Sequence, residues 1–203
     1  MDTILSAEQI RSYIPEVGPV SLILRPGELR HFQSRMWECT SLFEMLTGLR
    51  KPDEGRVTIL GQDIYALEEW ERTAFRRDHL GAIPRDGGFL PELTLLEQIE
   101  LPMILAGFSH EEMARRIRKN AFTYLPLHDL FNQAKRCSPR TLALAGLLRA
   151  LIMEPSIMVL CAAFDHLSGA DARLVWQELR HVLSEGMTLL YLSPDPLPEQ
   201  FPK

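Results

Sequence analysis

Three cysteines, Cys39, Cys137 and Cys161, carry the most distinctive chemistry in this 203-residue sequence, because a thiol can form disulfides, bind metal or act as a nucleophile. Their wide spacing does not form the framework of a small disulfide-stabilised domain. We therefore expect a protein of a reducing, intracellular compartment.

The charge composition excludes several classes of protein. The chain has 27 acidic and 22 basic residues and a formal net charge of −5. This mild acidic excess argues against a protein that coats nucleic acid or an anionic membrane. The longest apolar run, residues 142–153, contains Arg149 and is shorter than the roughly 18–20 residues that span a bilayer. The first residues lack the features of a signal peptide, so we expect a soluble globular protein without a nucleic-acid partner.

Apolar patterning predicts an α/β fold in which these residues are positioned. Residues 157–163 form the continuous apolar run of a strand buried in a parallel sheet, and residues 187–192 form another. Residues 40–49 show helical spacing, with Thr40 or a neighbouring residue predicted as the N-cap. Residues 94–153 are predicted to be helical, which indicates an α/β core with a helical insert. Further helices are predicted over 66–77, 110–125, 140–153 and 171–183, and further strands over 56–60 and 80–83.

Several short segments follow one another in an order typical of a known family. They include the letters PGE at 26–28, LTGL at 46–49, GQDI at 61–64, LPELT at 90–94, RAL at 149–151 and SPDP at 193–196. In this order they resemble the ATP-binding cassette of ABC transporters, and most of all the subfamily for lipoprotein release, MacB-type efflux and FtsE-type division complexes. The resemblance implies one domain over 1–203, with a P-loop NTPase-like α/β core over about 1–92 and 152–203. It also implies a helical subdomain over about 93–151.

The phosphate-binding loop of that family reads G-x-x-x-x-G-K-[ST], and its glycines and lysine hold phosphate. The equivalent residues 33–41 contain no glycine, with Glu38 at the second glycine position and Cys39 at the lysine position. The hydroxyl of Thr40 is kept. The resemblance implies Thr40, Ser41 and Tyr13 as residual nucleotide contacts, with Tyr13 stacking on adenine.

The other catalytic positions of the family also differ in this chain. Cys161 and Ala162 stand where the family has Asp-Glu, and Pro194 stands at the switch histidine. Arg85 aligns with the glutamine that senses the metal. From these replacements we expect no catalytic residue, no metal site, no bound ATP or Mg²⁺, and hence a protein that is not an enzyme. The resemblance brings Cys39 close to Cys161, either as core filling or as a redox or metal pair.

Two segments are predicted to contact partners. The family's signature loop aligns with residues 137–141, so that Ser138, Pro139 and Arg140 would face a second cassette. A groove at the start of the helical block would receive the permease, and its predicted residues are Arg85, Asp86, Gly87, Gly88, Phe89 and Leu90.

These expectations define the predicted function. It is a catalytically inactive cassette subunit, structural or regulatory, bound to an ABC permease and to a second cassette in a homo- or heterodimer. Its predicted location is the cytoplasmic face of a bacterial inner membrane. Alternatives are a weak ATP-binding or ATPase subunit with atypical motifs, a detached soluble interaction module, and an unrelated α/β protein.

Overall fold

The buried centre of the molecule is a parallel sheet built from the most apolar segments of the chain. The computed structural model describes residues 3–120 and 125–198. Strand β7 (Ile157–Cys161) and strand β8 (Thr188–Ser193) are buried along their whole length, and they pair in parallel. Strands β3 (Leu29–Gln33) and β6 (Leu80–Ile83) flank them in the order β3-β8-β7-β6. The two predicted buried strands are confirmed.

A second, antiparallel sheet lies beside the first. It has the order β2-β1-β4-β5, formed by β1 (Leu5–Tyr13), β2 (Glu16–Leu24), β4 (Glu54–Ile59) and β5 (Gln62–Asp63). Strand β1 has no counterpart among the strands predicted from the sequence. Its pairing shifts register between Ala7 and Ile10, and the backbone φ of Gln9 is +49°. This bulge breaks the alternation of apolar and polar residues by which a strand is recognised.

Helix α1 (Met36–Leu46) lies between the two sheets and shares one hydrophobic core with both, through Leu42 and Leu46. The helix begins four residues earlier than predicted, so Thr40 is not its N-cap. The Thr40 hydroxyl instead donates a hydrogen bond to the carbonyl of Met36 at 3.0 Å, inside the first turns. Arg35 occupies the N-cap position without a side-chain capping bond.

The charged helix that the sequence predicts next is α2 (Glu69–His79). None of its residues is fully buried, and a capping box formed by Glu68 and Glu71 fixes its start. It leads directly into β6. Helix α6 (Gly169–Ser184) packs on the parallel sheet through its buried residues Val175 and Leu179.

The helical block is confirmed as α3 (Leu95–Leu105), α4 (His110–Lys119) and α5 (Pro139–Leu151), with two short 3-10 helices, Leu127–Phe131 and Ala134–Arg136. Helix α4 ends at Lys119, earlier than predicted, and residues 121–124 lie outside the described residues. The division into core and helical subdomain at 93 and 151 stays a prediction. Within the described ranges, no helix combines the length and the apolar character needed to cross a membrane.

Candidate functional site

The N-terminal turn of α1 is closed by bonds among its own residues. The Cys39 backbone N–H donates to the Arg35 carbonyl at 2.9 Å, and the Cys39 thiol donates to the Ser34 carbonyl at 3.4 Å. The Ser34 hydroxyl donates to the Glu38 carboxylate. Glu38 is the acidic residue of this first turn, where a negative charge is stabilised by the helix dipole.

This turn does not fit a triphosphate with Mg²⁺. A phosphate at a helix N-terminus needs backbone N–H groups that wrap it and no competing anion. Here the Glu38 carboxylate already supplies the negative charge, and Ser34 is engaged with it. The neighbouring end of β7 carries Cys161 and Ala162, neither of which has a carboxylate for a metal. Groups of three or more metal-ligating side chains are absent from residues 3–120 and 125–198.

Cys39 and Cys161 lie close enough to affect one another, as the resemblance implied. The pKa of each thiol is raised to about 11, mainly by burial, and for Cys39 the second cause is the charge of Cys161. The nearby Thr40 side chain and the Arg85 charge act on the pKa of Cys161 in the opposite direction. Both cysteines are buried and free. The sequence-predicted Cys39, Thr40, Arg85 and Cys161 are therefore brought together, and protonated thiols in this setting are poor nucleophiles.

Asp165, which the sequence analysis did not single out, fixes the loop after β7. One carboxylate oxygen accepts from the Tyr191 hydroxyl at 2.7 Å, and the other accepts from the Ser193 hydroxyl at 2.5 Å. The Tyr191 oxygen also accepts the backbone N–H of Phe164 at 3.2 Å. Burial, followed by the negative charge of Asp165, raises the pKa of Tyr191, so this phenol stays a donor. A carboxylate four residues past a buried strand was the available signal.

The aligned signature segment forms the start of α5. The Ser138 hydroxyl accepts from the Thr141 N–H at 3.1 Å, which makes Ser138 the N-cap, and Pro139 takes the first helical position. Proline suits that position, because the N–H it lacks has no partner within the helix. Arg140 forms an ion pair of 3.3 Å with Asp171, which joins α5 to α6. These contacts account for the three residues locally, and their role toward a second cassette stays a prediction.

Tyr13 and Pro194 are each held by local hydrogen bonds. The Tyr13 N–H donates to the Asp53 carboxylate at 2.6 Å, and its hydroxyl donates to Glu54. The Pro194 carbonyl accepts from the side chain of Gln33 at 2.9 Å. Ser41 is buried in α1. The stacking of Tyr13 on adenine stays a prediction.

The predicted permease segment, residues 85–90, is divided by the structure between two concave surfaces. Gly88 and Leu90 line a groove of about 640 Å³ between α2 and the helices α3 and α5, hereafter the docking groove. A separate cavity of about 230 Å³ is lined by Arg85, Asp86, Gly87 and Phe89. The structure adds groove residues that the sequence analysis missed: Leu49, Arg76, Leu101, Leu105 and Arg149.

Two side chains hold the loop at residues 85–94 in place. Gln98, which is 3% exposed, accepts from the Leu90 N–H at 2.6 Å and donates to the carbonyls of Leu90 and Leu93 at 3.1 and 3.2 Å. Arg149 donates to the carbonyls of Gly87 and Gly88, and its guanidinium lies 4.5 Å from the ring centre of Phe89. The loop is thereby joined to both α3 and α5.

Asp165→Ala should lower the free energy of unfolding by about 1–3 kcal/mol, because it leaves the buried Tyr191 hydroxyl without its acceptor. Urea unfolding measures this loss, and hydrogen exchange should show faster exchange in the loop at 162–168. Asp78→Ala removes an exposed carboxylate and is the control. Equal losses in the two variants would contradict the assignment of Asp165.

The two buried thiols predict a pH dependence of stability. The pKa of each thiol in the folded state, about 11, lies above the ordinary thiol value. The thiols therefore make their full contribution to the free energy of unfolding at pH 8, and this contribution is lost as the pH rises through 11. Cys161→Ala should reduce the loss of unfolding free energy between pH 8 and 11 by about 1–2 kcal/mol, with Cys137→Ala as the more exposed control. An unchanged pH profile would show that the Cys161 thiol ionises freely.

Comparison with known proteins places the fold and the sequence in one family. The family model described as ABC transporter matches residues 39–163. The ABC transporter ATP-binding protein YtrE of Bacillus subtilis is 27% identical over 192 residues, covering 90% of this chain and 80% of that protein. The lipoprotein-releasing system ATP-binding protein LolD of Zymomonas mobilis is 30% identical over 170 residues, covering 82% and 73%.

One further relative is covered less fully. A LolD protein of Rhodopirellula baltica is 28% identical over 151 residues, and the chain spans 66% of its length. Among solved structures, the ATP-binding cassette MJ0796, described as dimeric and bound to ADP and Pi, has a TM-score of 0.82 at 22% identity. That match covers 95% of this chain and 88% of the other. It confirms the predicted cassette fold.

These comparisons contradict one expectation drawn from the sequence. The chain was expected not to be an enzyme, but its relatives are named ATP-binding proteins of ABC transporters, and none of these findings shows a loss of catalytic residues. That expectation is wrong on this evidence, because it rested on residue types at single aligned positions. The family model covers more than half of the 203 residues, and the chain therefore belongs to the ABC transporter family.

Proposed function

We propose that this chain is the cassette subunit of a membrane transport complex and that it binds a permease through the docking groove. The observation that carries the proposal is the exposure of large apolar side chains along this groove. Leu49, Leu90 and Leu105 are 58%, 56% and 70% exposed, and Leu101 lies beside them. Exposed apolar side chains that meet in one concave surface are typical of a binding site for another protein.

The shape of the groove supports a helix as the occupant. Its walls are formed by α2 on one side and by α3 and α5 on the other, and such grooves accept the apolar face of an amphipathic helix. The family resemblance implies that a permease supplies this helix. The relatives named for lipoprotein release and for ABC transport support the same assignment.

A second cassette is the other proposed partner. MJ0796 is described as dimeric, which supports a dimer for this chain. In this proposal Ser138, Pro139 and Arg140 face the second cassette. Association with the cytoplasmic face of a membrane follows from the permease and is part of the same proposal. The alternative, a detached soluble interaction module, would not be recovered with membranes, and this distinguishes it from the proposed transporter subunit.

An ATP-binding subunit with atypical ligands is the second candidate function, and the names of the relatives favour it. The absence of bound ATP and Mg²⁺ stays a prediction, supported by the closed first turn of α1 around Glu38. The ATP-binding candidate and the proposed subunit without ATP differ in their measurable affinity for ATP.

Calorimetric titration with ATP and Mg²⁺ should give no binding in the micromolar range, because Glu38 repels phosphate. Glu38→Gln should strengthen binding about tenfold, which corresponds to about 1.4 kcal/mol. Glu111→Gln, on α4, removes the same charge elsewhere and should change nothing. Micromolar binding by the unaltered chain would contradict the prediction and support the ATP-binding candidate.

Leu101→Asp should abolish recovery of the chain with membranes, because it places a charge on the apolar wall of the docking groove. The measurement is the fraction of a tagged chain that sediments with washed native membranes and co-purifies with an integral membrane protein. Phe131→Asp changes an equally apolar, exposed residue outside the groove and should leave recovery intact. Equal recovery of the two variants would overturn the proposed docking site.

A further inference from the structure

The charges that line the docking groove all have one sign. Of the described residues that form its walls, three are arginines, Arg76, Arg77 and Arg149, and none is acidic. The chain as a whole has a net charge of −5. The groove is therefore a local positive region on an acidic protein, which indicates an occupant with complementary charge.

Two of these three arginines form no ion pair, although the charge of Glu69 acts on Arg76 and that of Asp86 acts on Arg149 from a greater distance. Arg77 is paired with its neighbour Asp78, at 2.7 and 3.0 Å. Arg76 and Arg149 take part in none of the ion pairs formed within the described part of the chain. Burial lowers the pKa of both guanidinium groups, which reflects the cost of a charge removed from water.

Both guanidinium groups are fixed in position by neutral partners. Arg76 donates to the carbonyl of Gly48 at 2.9 Å, just beyond the C-terminus of α1, and to the Thr73 hydroxyl at 3.1 Å. Arg149 is held by the carbonyls of Gly87 and Gly88. A guanidinium has five N–H donors, so each keeps donors that these contacts do not use. Fixed and partly desolvated cations form strong bonds with carboxylates.

We propose that the segment bound in the docking groove is an amphipathic helix with a carboxylate at the border of its apolar face, and that this carboxylate binds Arg76. Arg149, on the opposite wall, supplies the second positive charge. The leucines at 49, 101 and 105 receive the apolar face of the same helix. This inference rests on the proposed function and adds to it the chemistry by which the partner is recognised.

The test uses three stapled 14-residue helical peptides with one apolar face of leucines and a single border residue that is Glu, Gln or Lys. Binding to the full chain is measured by fluorescence anisotropy at low and high NaCl. The Glu peptide should bind about tenfold more tightly than the Gln peptide, and the Lys peptide should bind most weakly. The preference for Glu should shrink at high salt.

Variants of the chain assign the preference to one residue. Arg76→Gln should remove the difference between the Glu and Gln peptides, and Arg76→Glu should invert the preference toward Lys. Arg118→Gln, on α4 outside the groove, is the matched control. Thermal unfolding checks that each variant is folded, and the salt dependence of the unaltered chain tests the proposal without any variant.

Two results would overturn the inference. Equal binding of the Glu and Gln peptides would show that the groove selects apolar surface alone, which leaves permease docking intact. Binding of no peptide, with membrane recovery still lost in Leu101→Asp, would likewise reject the carboxylate while the proposed function stands. Loss of the proposed function itself would appear separately, as membrane recovery that does not depend on Leu101.

Discussion

The anchoring of one loop to two helices is the constraint on which the rest of this surface depends. Gln98 of α3 and Arg149 of α5 bind backbone groups of residues 87–93 from two sides. The carbonyls they bind would otherwise be unsatisfied in a partly buried loop, which is costly. Because β6 runs directly into this loop, the same bonds join the parallel sheet to the helical block. Two residues of the anchored loop, Gly88 and Leu90, line the docking groove.

The edge of the parallel sheet shows a different use of polar groups. Two buried thiols, Cys39 and Cys161, lie at this edge, and Asp165 links Tyr191 and Ser193 nearby. These bonds hold the loop after β7 against the end of β8. Both carboxylate oxygens of Asp165 are thereby used inside the protein. The family relationship and the names of the relatives point to ATP chemistry, whereas the first turn of α1 does not fit a triphosphate.

The sequence predicted the parts of the fold that periodicity and burial determine. The strands β7 and β8 follow from continuous apolar runs. The charged helix α2 and the helical block follow from apolar residues repeated with the period of an α-helix, about 3.6 residues. Strand β1 escaped prediction because a bulge at Gln9 breaks its alternation. The start of α1 was misplaced because Arg35, at its N-cap, forms no capping bond. The residues of the docking groove come from α2, α3 and α5, and no local pattern brings them together.

The central claim is that the docking groove is the face that contacts a membrane partner. Site-specific photo-crosslinking tests it most directly, with a benzophenone side chain placed at position 105 on the groove wall or at position 131 outside it. In native membranes, position 105 should give a crosslink to one integral membrane protein, and position 131 should give none. Crosslinks from position 131 alone, or to soluble proteins alone from both positions, would contradict the account.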